Sequence, residues 1–388
     1  MENPMLVDGQ RHLVTIRKIT AINDIAGADR IKVATIDGWE VVVKAGEFNV
    51  GDYCVFFEID SLLPVCEPFM FLADKAKVYG EDPNPRIRLR TMKMKGQISQ
   101  GLALPTSILD PHWNANCDTL DAWFNVSKYE PPICLDGVSA RNPAGTFPIF
   151  IPKTDEERCQ NIFSKYKEKY QNVKFVKSLK LDGSSITMAW LTDPIHFSSS
   201  VKDLESGIYA HDYDVAQFIV ASRNQTLRYD PNNMFWRGVE NTQVIERMKV
   251  LGKAVAIQGE LMGPKIQGNR EGFVDYKIFA FRAWWIDEQR MATHEEFCDL
   301  CATLGLTVIP QLDTCLPFQQ YDTVKDMLAD ADIPSINNKI AEGVVYKSMD
   351  LVNGQSIHFK AISNKFPPQG GDSHPGFAHG LYSRRRLS

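Results

Sequence analysis

The chain has 388 residues, of which 44% are hydrophobic and 23% are charged, and its formal net charge is −5 with a pI near 5.9. This composition is typical of a globular protein of two or three domains, and its acidic balance excludes a uniformly basic nucleic-acid coat protein. No stretch approaches the ~18 consecutive apolar residues of a membrane span, and the first residues lack a secretory signal pattern.

We therefore expect an intracellular protein, cytoplasmic or nuclear, with no membrane contact. The eight cysteines are scattered along the chain, which favours free thiols in a reducing compartment. Cys298 and Cys301 form a lone CxxC within a helical pattern. Because no second pair follows, we expect both side chains to be buried rather than to bind zinc.

The first hundred residues contain short β-rich runs separated by turn signals at Gly38, residues 49–52 and Gly96. Their number and spacing predict a small β-barrel domain over residues 1–125. The runs are LVTIRKITAI, RIKVATI, WEVVVKA, YCVFFEI, RIRLRTMKM and GLALP.

Basic and apolar side chains alternate in the fifth run and just beyond it. The cations are Arg86, Arg88, Arg90, Lys93 and Lys95. Five cations on one strand pair would follow a phosphate backbone, so we expect contact with RNA or with nucleotide phosphates. A solvated antiparallel strand would show the same alternation.

Residues 126–153 are proline-rich and are predicted to form a linker, followed by a domain over residues 154–366 in which strands and helices mix. Thr154 and Glu157 have the spacing of a capping box, which predicts a helix starting there. Ile162, Phe163, Tyr166 and Tyr170 would form its apolar face. Residues 367–388 are rich in Gly, Pro and His and predict a disordered tail, whose Arg384–Arg386 is expected to be solvated.

The stretch KSLKLDGSS places Lys180 between two leucines and follows it with Asp182 and Gly183. A lysine in water is almost fully protonated and is a poor nucleophile. Apolar flanks and nearby cations would lower the pKa of Lys180 and make it nucleophilic. Gly183 permits a tight turn that directs the amine into a cleft. The alternative is an ordinary hairpin turn.

A second motif, EGVVYK, carries Glu342 and Lys347, and a hairpin signal at Asn353-Gly354 leads to a strand with Lys360. A plain two-residue turn would place Lys360 across from Lys347, on the face opposite Glu342. A slip of one residue would place Lys360 across from Tyr346, on the face of Glu342. The active-site hypothesis predicts the slipped register.

Three further motifs end or form apolar runs. They are SRN with Arg223, QGEL with Glu260, and FAF with Phe281. The aromatic side chains of the last run are also expected to contribute to a core.

In this order, these motifs resemble those of the nucleotidyltransferase superfamily of ATP-dependent ligases and mRNA-capping enzymes. The runs GWEVVVKAGEFNVGDYCVFFEIDSLLP, MKMKGQISQGLALP and FPIFIPKTDEERCQN resemble the branch of RNA ligases with an N-terminal OB domain. The resemblance covers roughly residues 12–366. It implies an α+β protein: an OB-fold barrel followed by a nucleotidyltransferase domain of antiparallel sheets flanked by helices.

The resemblance implies that Lys180 attacks ATP to form lysyl-AMP, that AMP passes to an RNA 5′-phosphate, and that a 3′-hydroxyl then seals the strand. Asp182, Glu260 and Glu342 would hold Mg²⁺ or Mn²⁺ through water. Lys347 and Lys360 would bind the α-phosphate, and Phe281 would stack on adenine. Gly183, Arg223 and Glu260 would contact the nucleotide, and Arg158 is a candidate for the β- and γ-phosphates or for a surface helix pair.

Three positions depart from the family pattern. Leu179 stands where an acidic residue is usual, Arg282 follows FAF in place of Asp, and His358 replaces the first lysine of a KxK pair. Activity is expected to survive, because the nucleophile, both glutamates and Lys360 are retained.

Two other interpretations stay open. One is a DNA ligase or a GTP-dependent capping enzyme, although capping enzymes and many DNA ligases place the OB domain after the lysine motif. The other is a non-enzymatic OB protein that binds single strands beside an inactive transferase domain. We expect a monomer that acts in RNA repair on ends carrying a 3′-hydroxyl and a 5′-phosphate.

Overall fold

The computed structural model describes residues 12–79, 82–110, 119–129, 143–192 and 218–367. The chain divides into two compact units, residues 1–132 with 367–388, and residues 133–366. Each unit has sheets covered by helices or loops, so the α+β class is confirmed. No helix in the described ranges is long and apolar enough to cross a membrane.

In its described residues, the first unit has three antiparallel sheets, with strand orders β10-β4-β1-β2-β3, β11-β5-β7-β6 and β8-β9. Its elements are β1 Val14–Ile25, β2 Ala28–Ile36, β3 Trp39–Lys44, β4 Tyr53–Phe57, β5 Ser61–Pro64, a 3-10 helix Met70–Lys75, β6 Lys77–Tyr79, β7 Asp82–Arg88, β8 Met92–Met94, β9 Gln97–Ser99, β10 Leu102–Pro105, a 3-10 helix Thr106–Ile108, α1 Leu120–Trp123 and β11 Ser127–Lys128.

Strand β4 is buried on both of its faces. Val55 and Phe57 pack into one apolar cluster, while Cys54 and Phe56 on the opposite face pack into another. A strand buried on both faces needs a continuous apolar sequence, which YCVFF provides. The small β-barrel predicted from the strand pattern, which the family resemblance identifies as an OB fold, is confirmed.

The second unit has two larger sheets. One follows the order β12-β17-β16-β15-β18-β19-β20, with β21 also paired to β19, and the other follows β13-β24-β23-β14-β22. The strands are β12 Pro143–Thr146, β13 Glu157–Arg158, β14 Phe175–Lys180, β15 Ser184–Trp190, β16 Phe218–Ala221, β17 Gln225–Leu227, β18 Val255–Met262, β19 Lys277–Trp285, β20 Arg290–Met291, β21 Thr307–Val308, β22 Gln311–Cys315, β23 Gly343–Ser348 and β24 His358–Ile362.

Helices cover both sheets of this unit. They are α2 Cys159–Tyr170, α3 Met234–Glu240, α4 Val244–Leu251, α5 His294–Leu304, α6 Pro317–Gln320 and α7 Val324–Asp330, with a 3-10 helix Gln267–Asn269. Helices α3, α4 and α5 pack on the larger sheet, and α2, α6 and α7 pack on the five-stranded sheet. On the five-stranded sheet, Phe175, Tyr346 and Phe359 form the buried face, so the side chains that alternate with them point the other way.

The predicted helix start at Thr154 is wrong. Helix α2 begins at Cys159 with Arg158 as its N-cap residue, and Glu157 and Arg158 form the short strand β13. Thr154 instead shares a hydrogen bond with Ser185 across 3.1 Å. The segment is extended because β13 pairs in parallel with β24, a long-range pairing that overrides the local capping signal. The predicted apolar face of α2 is confirmed.

Parts of the segment predicted as a linker belong to the two units. Strand β11 pairs with β5 in the first unit, and β12 pairs with β17 in the second. Phe147 and Ile151 are buried in a core cluster of the second unit. The central part of the predicted linker, residues 130–142, and the predicted tail beyond residue 367 lie outside the described residues.

The predicted register of the β23–β24 hairpin is also wrong. The turn forms at Asn353-Gly354 as expected, with Val352 bridged to Gln355. Beyond it, however, Ser348 pairs with Ile357 through a backbone hydrogen bond of 2.8 Å, and residues 349–351 lie opposite residue 356 alone. The register therefore shifts by two residues, and Lys360 lies across from Val345 rather than Tyr346.

Two outside contacts explain this bulge. The backbone N–H of Met349 donates to the Lys174 carbonyl, and the Met349 carbonyl accepts from the His294 N–H. Because Met349 is bonded to other parts of the unit, it is not available to the hairpin ladder. Neither contact can be inferred from the hairpin sequence.

Gly343, at the start of β23, has φ of +151°, and an added Cβ would lie 2.1 Å from the Ala361 carbonyl oxygen. Gly343→Ala is expected to destabilise the protein by about 2–4 kcal/mol, because backbone strain and the clash add. Gly354→Ala is the matched control, since Gly354 also has positive φ but open space around it; it should cost about 1 kcal/mol. Urea unfolding of both variants measures the difference, and equal losses would contradict the steric argument.

Candidate active site

Lys180 is the last residue of β14. Its neighbours Leu179 and Leu181 are buried in an apolar cluster with Phe279 and Ile309. Because side chains alternate along a strand, burial of the leucines turns Lys180 to the opposite face. Its Nζ lies 2.8 Å from Oε2 of Glu342, and about a fifth of its side chain is exposed.

The pairing of β14 with β23 brings Lys180 and Glu342 together. Lys180 is the Cα partner of Gly343, so Glu342 lies one residue before the paired strand and is free of the strand alternation. The charge of Glu342 also acts on Lys360, so the predicted slip in register is not needed to bring Lys360 near Glu342.

The turn between β14 and β15 approaches Glu260 closely. The Gly183 N–H donates to Oε1 of Glu260 at 3.0 Å, and Ser185 is the Cα partner of Glu260. A Cβ on Gly183 would lie 2.6 Å from the Leu261 carbonyl oxygen and 2.8 Å from Cγ of Glu260. Glycine is therefore required here for a close backbone approach rather than for its φ angle. Asp182 lies in the same turn.

The charges of this group oppose the predicted lowering of the Lys180 pKa. Burial acts to lower that pKa, but the carboxylates of Glu342 and Glu260 outweigh burial, and the net pKa of Lys180 is raised. Burial raises the pKa of Glu260 to about 8, against the opposing charge of Lys180. The expectation of an uncharged Lys180 is thus wrong for this arrangement, because a carboxylate lies beside the amine.

A row of basic side chains extends from Lys180 across the five-stranded sheet; we call it the lysine face. The Cα pairs that define it are Lys180 with Gly343, Val176 with Lys347, Val345 with Lys360, and Lys347 with His358. Paired residues point to the same side of a sheet. Lys180, Lys347, His358 and Lys360 therefore share the face opposite the aromatic core.

Burial depresses the pKa values of three of these groups. Burial and, to a smaller extent, the charge of Arg282 lower the pKa of Lys347 to about 7. Burial and, to a smaller extent, the charge of Lys180 lower the pKa of Lys360 to about 8. Burial also lowers the pKa of His358 to about 4. The buried Nδ1 of His358 has no hydrogen-bond partner. A multiply charged anion would offset the desolvation of such a face.

Phe281 lies at a β-bulge in β19. Gln258 pairs with Arg282 and Gly259 with Ala280, so Phe281 is the extra residue between them. A bulge redirects a side chain, and Phe281 packs on the apolar cluster that contains Leu179 and Leu181. Its carbonyl oxygen lies 3.5 Å from Nζ of Lys347.

The structure places the two predicted arginines at the edge of this group. Arg223 forms an ion pair with Asp155. Arg158 is the Cα partner of Lys360 in the parallel pairing of β13 with β24, and its charge contributes to the lowered pKa of Lys360.

Glu156 was missed by the sequence analysis. Its charge acts on Lys180, Glu260, Lys347 and Lys360, so it lies among the predicted site residues. Its segment carries no motif pattern beyond the capping-box spacing that proved wrong. The parallel pairing of β13 with β24 is the signal that would have found it, because that pairing extends the segment alongside His358 and Lys360.

The five cations of the first unit are not on one strand pair as predicted. Arg86 and Arg88 lie in β7, whereas Lys93 lies in β8 of a separate two-stranded sheet. Arg86 donates to the Asn125 carbonyl at 2.6 Å, and Arg88 pairs with Asp60 at 2.5 Å. The exposed members are Arg90, Lys93 and Lys95.

The carboxylates of the site suit a hard divalent cation. In the described parts of the chain, no three His, Cys, Asp or Glu side chains are spaced to ligate a metal directly, which is compatible with a cation held through water. Glu342 raises the pKa of Glu260, so these two oxygen-donor groups lie close together. Oxygen donors of this kind select Mg²⁺ or Mn²⁺ over softer metals.

Comparison with known proteins agrees with this geometry. Residues 173–362 match a family model described as RNA ligase, and residues 13–106 match a model of an OB-fold domain. An apo mutant of Naegleria gruberi RNA ligase is 33% identical, with a TM-score of 0.72, over 91% of this chain and 96% of that chain. The chain belongs to the RNA ligase family. Among curated proteins, no sequence matched.

Two further structures of the Naegleria RNA ligase are similar to this chain to nearly the same degree. A mutant with ATP and Mn has a TM-score of 0.71 at 33% identity, over 91% of this chain and 98% of that chain. The ligase with PPi has a TM-score of 0.71 at 33% identity, over 92% and 97%. The family and the enzyme class inferred from the motif order are confirmed.

The pKa of Lys347 leads to a pH prediction for this RNA ligase. A lysine with a pKa of about 7 is charged below that pH and loses its charge above it. Affinity for a non-reactive ATP analogue with a methylene bridge between the α- and β-phosphorus should therefore fall by roughly three- to tenfold between pH 6.5 and 8.5. Lys347→Arg should move this loss to higher pH, because arginine stays protonated. Equal pH profiles in binding calorimetry would contradict the role of Lys347.

Proposed function

We propose that this RNA ligase is ATP-dependent and seals RNA ends through a covalent lysyl-AMP intermediate on Lys180. The observation that carries the proposal is the position of Lys180: its amine contacts Glu342, lies beside Glu260, and opens onto the lysine face. A nucleophile, carboxylates and buried cations converge there, as phosphoryl transfer requires.

In the first step, Nζ of Lys180 attacks the α-phosphorus of ATP, an N–P bond forms, and the bond to pyrophosphate breaks. The raised pKa of Lys180 means that the amine must lose its proton when the nucleotide binds. The carboxylate of Glu342, whose Oε2 lies 2.8 Å from the amine, is placed to accept it. Pyrophosphate leaves with the electron pair of the broken P–O bond, and nearby cations stabilise its negative charge.

Lys360 and Lys347 would bind the α-phosphate and stabilise its charge in the transition state. Phe281 would support the adenine ring, and Gly183 and Arg223 would contact the nucleotide. Arg158, paired with Lys360, would contact the outer phosphates. A Naegleria relative was solved with ATP and Mn, which supports ATP as the substrate and a divalent cation as the cofactor.

A divalent cation would be held by Asp182, Glu260 and Glu342 through water. When bound, it supplies positive charge that polarises the α-phosphate. The same carboxylates would then interact less with Lys180, which favours loss of its proton.

In the second step, an oxygen of the RNA 5′-phosphate attacks the phosphorus of AMP, the N–P bond breaks, and the Lys180 amine takes back its proton. In the third, a 3′-hydroxyl attacks the adenylylated end and releases AMP. We expect the exposed cations Arg90, Lys93 and Lys95 to contact RNA, with Arg86 and Arg88 in supporting ion pairs. The domain limits 1–125 and 154–366, the monomeric state, an intracellular location and a role in RNA repair stay predictions.

The test is sealing of a nicked duplex in which each side of the nick is made of ribose or deoxyribose. The proposal predicts sealing with ATP and Mg²⁺ or Mn²⁺ when the 3′-hydroxyl end is RNA, and no sealing with GTP. Sealing of all-DNA nicks at the same rate would favour a DNA ligase. Strand binding without turnover would favour an inactive transferase domain.

A further inference from the structure

Arg282 stands where the family motif has an aspartate, and it is only 3% exposed. Its Nε donates to Oε1 of Gln258, and its Nη2 donates to the carbonyl oxygens of Lys153 and, at 3.4 Å, Pro152. The hydrogen bonds of this buried guanidinium thus go to an amide and to backbone carbonyls. A planar guanidinium offers several donors in a fixed geometry and suits such a junction.

Gln258 completes the junction from β18. It is fully buried, and its Nε2 donates to the Pro152 carbonyl at 2.9 Å and to Oγ1 of Thr187 at 3.3 Å. Side chains from β18 and β19 thereby hold one short stretch of backbone, and Thr187 of β15 fixes the amide of Gln258. Buried polar networks of this kind fix a single arrangement when their members are satisfied.

The held backbone leads directly into the charged segment Lys153–Arg158. Thr154 shares a hydrogen bond with Ser185, and Asp155 forms an ion pair with Arg223. Arg158 is the strand partner of Lys360 in the parallel pairing of β13 with β24. The segment therefore runs from the larger sheet to the five-stranded sheet and passes beside the lysine face. Glu156 lies at its centre, among the lysines.

We propose that Arg282 is a positioning residue for the nucleotide phosphates, which fixes the segment Lys153–Arg158 against the lysine face by holding the carbonyls of Pro152 and Lys153. This inference rests on the proposed function. It assigns to Arg282 an effect chiefly on nucleotide affinity, because the charge of Glu156 acts on Lys347, His358 and Lys360, whereas its effect on Lys180 comes after those of Glu342 and Glu260.

Arg282 contributes in two ways that substitutions can separate: through its hydrogen bonds to the backbone and through its positive charge. Its charge lowers the pKa of Lys347 and of His358. Arg282→Lys keeps a charge but cannot span Gln258 and both carbonyls, whereas Arg282→Met removes the charge as well. The other charged or titratable groups that act on Lys347 and His358 are Glu156, Cys298 and Cys301. The charge of Lys347 in turn lowers the pKa of His294, after the effect of burial.

The experiment measures single-turnover formation of the enzyme–AMP adduct against ATP concentration in the full-length protein. Both Arg282 variants should raise the half-saturating ATP concentration about tenfold or more, with a smaller change in the maximal rate. Only Arg282→Met should move the alkaline loss of ATP affinity to higher pH, because Lys347 then stays charged longer. Arg237→Met is the control: Arg237 is exposed on α3 and pairs with Asp275, so its ATP dependence should be unchanged.

Thr154→Val tests the same segment at a partly exposed tether and keeps the test independent of folding at the buried arginine. It should raise the half-saturating ATP concentration by about threefold or more. If both Arg282 variants melt below the assay temperature, this variant decides. An ATP dependence within twofold of wild type in the folded variants overturns the inference while leaving the proposed function intact. If wild-type protein forms no adduct, the proposed function itself fails.

Discussion

Lys180→Ala is expected to lower RNA sealing at least about 1,000-fold, because it removes the amine that forms the proposed N–P bond. The variant should also form no enzyme–AMP adduct. Rates of sealing and of adduct formation, measured with saturating ATP and Mg²⁺, check both statements.

Lys180→Arg separates chemistry from structure in this prediction. An arginine keeps a cation beside Glu342, but it stays protonated and cannot act as the nucleophile. It should be as inactive as Lys180→Ala while retaining wild-type thermal stability. Lys174→Ala, at an exposed lysine just before the same strand, is the matched control and should keep full activity. Sealing by either Lys180 variant above a hundredth of the wild-type rate would contradict the assignment.

Glu342→Gln is expected to slow adduct formation by about 100- to 1,000-fold. The substitution removes the carboxylate that contacts Lys180 and, in the proposed mechanism, one of three that hold the divalent cation. The neutral amide can still hydrogen-bond the amine, so the loss reports on charge. The measurement is the single-turnover rate at a series of Mn²⁺ concentrations.

The same experiment includes a matched control. Glu246→Gln changes an exposed glutamate on α4 and should leave the rate unchanged. If Glu342→Gln retained more than half of the wild-type rate, the carboxylate would have no part in the reaction, and the proposed cation site would be wrong.

The local structure around two of the motifs was predicted correctly, because it depends on residues that are close in sequence. The alternation around Lys180 follows from two buried leucines, and the turn at Asn353-Gly354 follows from its residue types. The order of domains likewise followed from strand patterns and from the family resemblance. These features depend on neighbours within a few positions.

The failures arose where distant contacts decide the local structure. The β23–β24 register shifts because Met349 bonds Lys174 and His294, and Phe281 is redirected by a bulge opposite Gln258. Burial lowers the pKa of Lys180 as the sequence predicted, but the carboxylates of Glu342, 162 residues away, and of Glu260 outweigh it, so that pKa is raised. Glu156 was missed because only the pairing of β13 with β24 brings its segment to the site.

The most direct measurement is peptide mapping of the wild-type protein by mass spectrometry after incubation with ATP and Mg²⁺, without RNA. The account predicts one AMP adduct, attached to Lys180 and lost when pyrophosphate is added. An adduct on another residue, or none from protein that seals RNA, would contradict it.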